Sequence, residues 1–319
     1  MTVGILGAGA FGTSLSIALS TLNKKLILWT QNHGTVKSIQ EVRENRLRLP
    51  GYILPEQITA TNDIAEIKDC SIILIAVPMQ QLRSLVEMHG SILKGKILVA
   101  CCKGFEVSSG LGPTSILEIA SEKTAVLTGP SFASDLASGF PTALTIASKV
   151  EGLAKYIQKE LGTEILRLYW SNDPIGAELG GALKNVIAIG CGVTIGAGYG
   201  SSSRAALMTR GYSEIVKIAP YFGAKPETLF GLSGLGDLSL TCMSSESRNY
   251  QYGLALGKQQ SFDKNITVEG VSTSSAIVLK AKEFEVDTPV MAVINNLVIG
   301  KISLTHAIQN LLSRPQRQE

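Results

Sequence analysis

A chain of 319 residues, at ~100–200 residues per domain, has the length of two domains. With 45% hydrophobic and 17% charged side chains it can bury a sizeable core and is not a disordered chain, a coiled coil or a collagen. Its 29 Lys+Arg against 26 Asp+Glu leave a net charge of +3, too even a balance for a nucleic-acid-binding surface or an acidic tail.

Taken in order, residues 3–6 form a short apolar run that ends in glycines, residues 14–21 read as a helix, and residues 25–30 as a second strand. Residues 71–77, Ser-Ile-Ile-Leu-Ile-Ala-Val, lack polar alternation, as a parallel strand covered on both faces does. Residues 97–100, 124–127 and 142–146 look like further strands. Strands alternating with helical stretches imply βαβ units and a parallel sheet. After about residue 170 strands disappear. Residues 177–190, 204–221, 248–257, 270–283 and 289–299 have helical length and spacing. The expected fold is α/β: a Rossmann-like parallel-sheet domain over 1–173 and an all-α domain over 174–319, divided at Asp173-Pro174, with Arg314 to Glu319 a polar frayed tail.

The odd set of five cysteines (Cys70, Cys101, Cys102, Cys191, Cys242) has no C-x-x-C spacing, which suggests neither a disulfide framework nor a zinc site and suits a reducing cytoplasm. The amino terminus lacks the basic region and cleavage site of a signal peptide. No run of ~18 uninterrupted apolar residues is present, so no membrane span is expected. The longest apolar stretch, 180–200, is broken by Lys184-Asn185 and reads as a buried helix followed by a loop.

Gly7-Ala8-Gly9-Ala10-Phe11-Gly12 is a G-x-G-x-x-G that follows the first strand and opens the first helix. Gly7 permits a tight turn, Gly9 lets backbone approach a pyrophosphate, and Gly12 lets helix pack on strand. The bland alternative is a turn needed only for packing. The acid that would hold the ribose hydroxyls of NAD at the end of the second strand is missing, the residues there being Thr30-Gln31-Asn32-His33. Neutral residues do not repel a 2′-phosphate, so NADP or NAD is permitted, with a lean to NADP.

Reduction of a carbonyl needs a proton donor beside the developing alkoxide. His33, His89 and His306 lie outside glycine-marked segments and read as surface or packing residues. Lys184 is the better candidate, the one formally charged side chain between Gly180 and Ser203. Burial in such a helix lowers a lysine's pKa toward the useful range, whereas a snorkelling lysine would be ordinary. Gly180 and Gly181, one turn earlier, leave room for a ring or another backbone. Asp237 stands among glycines and apolar residues in Gly234-Leu235-Gly236-Asp237-Leu238; if buried it needs a partner, and Lys184 would serve, the alternative being a helix N-cap. In Ser247-Arg248-Asn249 a serine cap would open a helix whose free amides, with Arg248, make a phosphate site. By spacing alone Glu269 is a solvated acid at another helix start.

These blocks, with Lys103-Gly104, Gly129-Pro130-Ser131-Phe132-Ala133, Leu183-Lys184-Asn185-Val186 and Val268-Glu269-Gly270, occur in register along nearly the whole chain. The chain thereby resembles bacterial NAD(P)-dependent glycerol-3-phosphate dehydrogenase. The resemblance implies interconversion of sn-glycerol 3-phosphate and dihydroxyacetone phosphate for phospholipid synthesis, and, the family being commonly dimeric, a homodimer is expected. It makes Lys184 the catalytic lysine, gives Lys103 to both substrate and nucleotide, and puts Gly129, Ser131, Asp237, Ser247, Arg248 and Asn249 at the substrate. Gly7, Gly9, Ala10, Phe11, Gly12, Gln31, Ala133, Arg248, Thr267 and Glu269 fall to the cofactor, which replaces the bland reading of Glu269. Two departures stand out. Tyr250-Gln251 occupy positions often basic in the family, and Ala10 one that is often serine. The rivals are a hydroxyacid or 6-phosphogluconate type of dehydrogenase, set apart by the 234–237 and 247–249 blocks, and a silent nucleotide sensor, which would lack Lys184 or Asp237.

Overall fold

The computed structural model describes residues 2–22, 24–264 and 266–312; the polar tail expected from Arg314 onward lies outside them. The chain divides into two compact units. One holds residues 1–103 and 112–177, the other 104–111 and 178–319.

The first unit is built on an eight-stranded sheet. Its strands are β1 (Thr2–Leu6), β2 (Lys25–Trp29), β5 (Ile58–Thr61), β6 (Ile72–Ile75), β7 (Ile97–Ala100), β8 (Thr124–Thr128), β9 (Thr142–Ala147) and β10 (Leu166–Ser171), while β3 (Glu44–Asn45) and β4 (Leu49–Ile53) form a separate hairpin. The sheet order is β10-β9-β8-β7-β6-β1-β2-β5. The six strands from β5 to β8 are parallel and follow the dinucleotide-binding order, reversing direction of growth between β1 and β6. Both faces are covered: in β6, Ile72 and Leu74 join one apolar cluster, Ile73 and Ile75 the other. That is why this segment shows no polar alternation.

Four elements depart from the sequence reading. β9 pairs antiparallel with β8, so the sheet is parallel except at that joint. β5, β10 and the hairpin are additional strands. β10 is an edge strand whose alternating burial resembles ordinary surface chain, and β5 is only four residues long.

The second unit is helical. Its centre is the helix Pro174–Gly196, 23 residues long and apolar enough to cross a membrane by length and composition, with 89% of its most apolar window buried inside the protein. It is the core helix, surrounded by Ser201–Ile218, Arg248–Gly257, Glu269–Glu283, Pro289–Val298 and Leu304–Leu312. The helix begins at Pro174, and its first turn groups with the sheet unit, where Ala177 joins an apolar cluster. Residues 104–111 leave the sheet unit as a strap. Phe105 is buried among the helices and stacks on Phe222 at 5.7 Å, and Gly110 lies against the Lys280 side chain.

Candidate active site

At the end of β1 the chain turns at Gly7 with φ 108°. A Cβ there would fall 2.5 Å from the carbonyl oxygen of Ala76, just past β6, and one at Gly12 would fall 2.0 Å from the carbonyl oxygen of Gly7. Neither position tolerates a side chain. Gly9 differs: a Cβ would meet nothing within 4 Å, and no side chain caps the helix Ala10–Leu19 that it opens. The first-turn amides carry the positive end of the helix dipole without a side-chain cap among the described residues, and the backbone at Gly9 is unobstructed, a cradle that fits the pyrophosphate of a dinucleotide. Ala10 and Phe11 line that turn half-buried.

Because β1, β2, β7 and β8 are parallel, the residues that follow them emerge on one edge of the sheet. Gly7, Gln31, Lys103 and Gly129 are those residues. Gln31 is exposed beyond β2; next to it Asn32 caps the helix His33–Val42 by accepting the Thr35 amide at 2.8 Å. Lys103 is half-buried and its Nζ donates to the Gly129 carbonyl at 3.2 Å. Gly129 has φ 139°, and the Oγ of Ser131, shielded from solvent, has no hydrogen-bond partner among the described residues. Such an orphan hydroxyl suits a ligand group. Ala133 begins the short helix Ala133–Ala137, which packs on the helix Ala10–Leu19.

In the helical unit Lys184 is 7% exposed and Asp237 0%. A Cβ at Gly180 would lie 2.4 Å from the Ser233 carbonyl. The room this glycine leaves is filled by backbone, the π-helical turn Leu232–Gly236 that leads into the helix Asp237–Met243. That close approach delivers the carboxylate to the lysine. Lys184 Nζ donates to Asp237 Oδ1 and, at 2.8 Å, to Thr241 Oγ1, whose hydroxyl donates to the Asp237 carbonyl at 2.7 Å. The carboxylate offsets the cost of burying the ammonium. Thr241 lies one turn beyond Asp237 and was not singled out in the sequence; only its helical spacing could have indicated it.

Beside this cluster, Asn249 Nδ2 donates to Asn185 Oδ1 at 2.9 Å and Asn249 Oδ1 accepts the Gly270 amide at 2.9 Å. Ser247 caps the helix Arg248–Gly257 by accepting the Tyr250 amide at 3.2 Å. The helix is held against the core helix by interlocked glycines: a Cβ at Gly192 would lie 2.1 Å from the Tyr250 carbonyl, and one at Gly253 would lie 2.0 Å from that of Ile189. Arg248 is exposed at the helix start, Thr267 is exposed, and Glu269 is half-buried as the first residue of the helix Glu269–Glu283. The side chains of Gln31, Arg248 and Thr267 make no hydrogen bond among the described residues. Lys184 and Asp237 are thus brought together, as are Asn185, Asn249 and the residue after Glu269 and, in the sheet unit, Lys103 and Gly129.

Dinucleotide strand order with a glycine turn at its reversal point, followed by a helical unit holding a buried ammonium, is the construction of a nicotinamide-dependent dehydrogenase. Comparison with known proteins narrows the class. The family model for the NAD-dependent glycerol-3-phosphate dehydrogenase N-terminus matches residues 2–154, and that for its C-terminus matches residues 173–309. The chain belongs to this family. It is 49% identical over 321 residues to a glycerol-3-phosphate dehydrogenase [NAD(P)+] of Ruegeria sp. (strain TM1040), covering 100% of both chains. It is 50% identical over 319 residues to the protein of that name from Cereibacter sphaeroides, covering 99% of this chain and 100% of that one. Among solved structures, glycerol-3-phosphate dehydrogenase from Coxiella burnetii superposes with a TM-score of 0.91 at 32% identity, covering 98% and 99% of the two chains.

Proposed function

We propose that this chain, an NAD(P)-linked dehydrogenase by family, interconverts sn-glycerol 3-phosphate and dihydroxyacetone phosphate, with Lys184 exchanging the proton at the reacting oxygen. The observation that carries this reading is the buried Lys184–Asp237–Thr241 cluster, in which a dry ammonium is held in one position. In the reducing direction Lys184 donates its hydrogen bond to the ketone oxygen and transfers the proton as negative charge develops there. In oxidation the neutral amine takes the hydroxyl proton back. Asp237 and Thr241 keep the amine aimed, and Lys103 adds positive charge near the substrate oxygens. Ser247, Arg248, Asn249 and the first-turn amides behind them hold the phosphate, with Gly129 and Ser131 completing the contacts. Remote phosphate binding then orients the reacting carbon.

Bound NAD or NADP supplies or receives the hydride. Gly7, Gly9, Ala10, Phe11 and Gly12 would hold its pyrophosphate and Gln31 its ribose, with Lys103, Ala133, Arg248, Thr267 and Glu269 as further contacts. NADP is the favoured form, because residues 30–33 offer no carboxylate to repel a 2′-phosphate. The sheet unit is the dinucleotide domain and the helical unit the substrate and catalytic domain of a cytoplasmic homodimer that supplies glycerol 3-phosphate for phospholipid synthesis.

The test is steady-state oxidation of NADPH and NADH with dihydroxyacetone phosphate, followed by nicotinamide absorbance. Turnover is expected with the phosphorylated ketone and not with dihydroxyacetone; oxidation with neither cofactor would overturn the reading. Lys184→Ala should lower kcat by ~10²–10⁴-fold while dinucleotide affinity holds. In Arg248→Ala the KM for the phosphate substrate should rise steeply, and an unchanged KM would remove that residue from the phosphate site.

A further inference from the structure

The β3–β4 hairpin, which the sequence did not reveal, is tied to the glycine turn by one buried side chain. Asn45 is 0% exposed, and its Nδ2 donates to the Ala8 carbonyl at 2.9 Å and to Thr13 Oγ1 at 2.8 Å. Ala8 lies inside the G-x-G-x-x-G turn and Thr13 in the first coil of the helix it opens. Asn45 Oδ1 also accepts the Arg48 amide at 3.3 Å, while the Asn45 carbonyl accepts the same amide at 3.2 Å. The backbone of Arg48 is therefore two hydrogen bonds from the turn that cradles the dinucleotide.

The arginines around this hairpin differ in what they do. Arg43 donates to the carbonyls of Leu54 at 3.1 Å and Ile58 at 3.0 Å and so anchors the hairpin's base. Arg46 pairs with Glu44 at 3.1 Å. Arg48 is exposed, and its side chain has no hydrogen bond or ion pair among the described residues. A cation of this kind is otherwise scarce where the second strand ends: residues 30–33 contain no lysine or arginine. A guanidinium suits a phosphate oxyanion because its donors form a planar fork.

We propose that the hairpin is a wall of the dinucleotide site, in which Asn45 is a positioning residue that clamps it to the glycine turn and Arg48 supplies the charge that binds a cofactor phosphate. The proposal rests on the dehydrogenase reading and deepens it. Calorimetric titration of the substrate-free protein with NADP+ and NAD+ tests it without turnover. Arg48→Ala should raise the Kd about tenfold and flatten its dependence on salt, whereas Arg46→Ala should leave both unchanged. An equal rise for the two nucleotides assigns Arg48 to the pyrophosphate, and a rise confined to NADP+ assigns it to the 2′-phosphate; either upholds the proposal. An unchanged Kd in Arg48→Ala, with the native protein still binding, overturns it, while a native protein that binds neither nucleotide removes the dehydrogenase reading as well. For Asn45→Ala the decisive readout is coupling: Arg48→Ala should cost little further affinity in that background, and fully additive effects would leave Asn45 a structural residue only.

Discussion

Lys184 and Asp237 illustrate how a site can be held at a cost to the fold. Taking both charges out of water is expensive, and their attraction returns that cost only while both are present. Asp237→Ala should therefore destabilise the protein by about 3–5 kcal/mol, because it removes the carboxylate that accepts from the buried ammonium. The double variant Lys184→Met/Asp237→Leu, which removes both charges and keeps apolar volume, should recover most of that loss while remaining inactive. Urea unfolding of the pair measures both; a double variant as unstable as the single one would mean that the ion pair is itself a source of stability. This pair was legible in the sequence because each residue is chemically out of place among its neighbours, one lysine in an apolar helix and one aspartate among glycines. Thr241 and Asn45 were not. A threonine in a helix and an asparagine in a polar loop are unremarkable until the chain folds, and their partners lie 57 and 37 residues away in sequence.

At the scale of elements, the core helix and its neighbours meet backbone to backbone. Gly192 and Gly196 on one helix face Gly253 and Gly257 on the other, and a Cβ at Gly196 would lie 2.4 Å from the Leu254 carbonyl. This contact sets where Ser247, Arg248 and Asn249 stand relative to Lys184 and Asn185. Gly192→Ala should push the helices apart, costing about 1–3 kcal/mol as overpacked cores do, and should raise the KM for the phosphate substrate more than it lowers kcat. Thermal unfolding and steady-state kinetics of that variant check it; a native melting temperature would show that the contact is slack. The helices were readable from their periodicity, as were the central strands, whose runs of branched apolar residues have no polar face. Harder to read were elements whose form depends on partners. The reversal at β9 follows the connection that carries Gly129, Ser131 and Ala133, and the hairpin's position reflects hydrogen bonds from Asn45 and Arg43.

For the molecule as a whole, the absence of disulfides leaves five buried thiols. Burial pushes Cys101 up to about 12 and holds Cys242 well above the ordinary range. Both remain protonated in the folded protein at pH 8, whereas in the unfolded chain they titrate near ~8.5. Alkylation should accordingly be slow in buffer and rise to the unfolding rate in denaturant; rapid labelling of native protein at these two sites would contradict the packing. The same shifts fix the direction of alkaline sensitivity. The folded state holds protons that the unfolded chain releases, so stability is intact below about pH 8.5 and declines as pH rises toward 12.

The strap at Gly104–Leu111 carries a consequence for how this chain is made. Its residues leave the ribosome before the rest of the sheet unit, yet Phe222 and Phe284, the ring that completes its aromatic cluster, are synthesised far later. Until then Phe105, which belongs to the interior of the helical unit, lacks the rings it packs against. Phe105 therefore finds its ring partners only after residues 222 and 284 have been added to the growing chain.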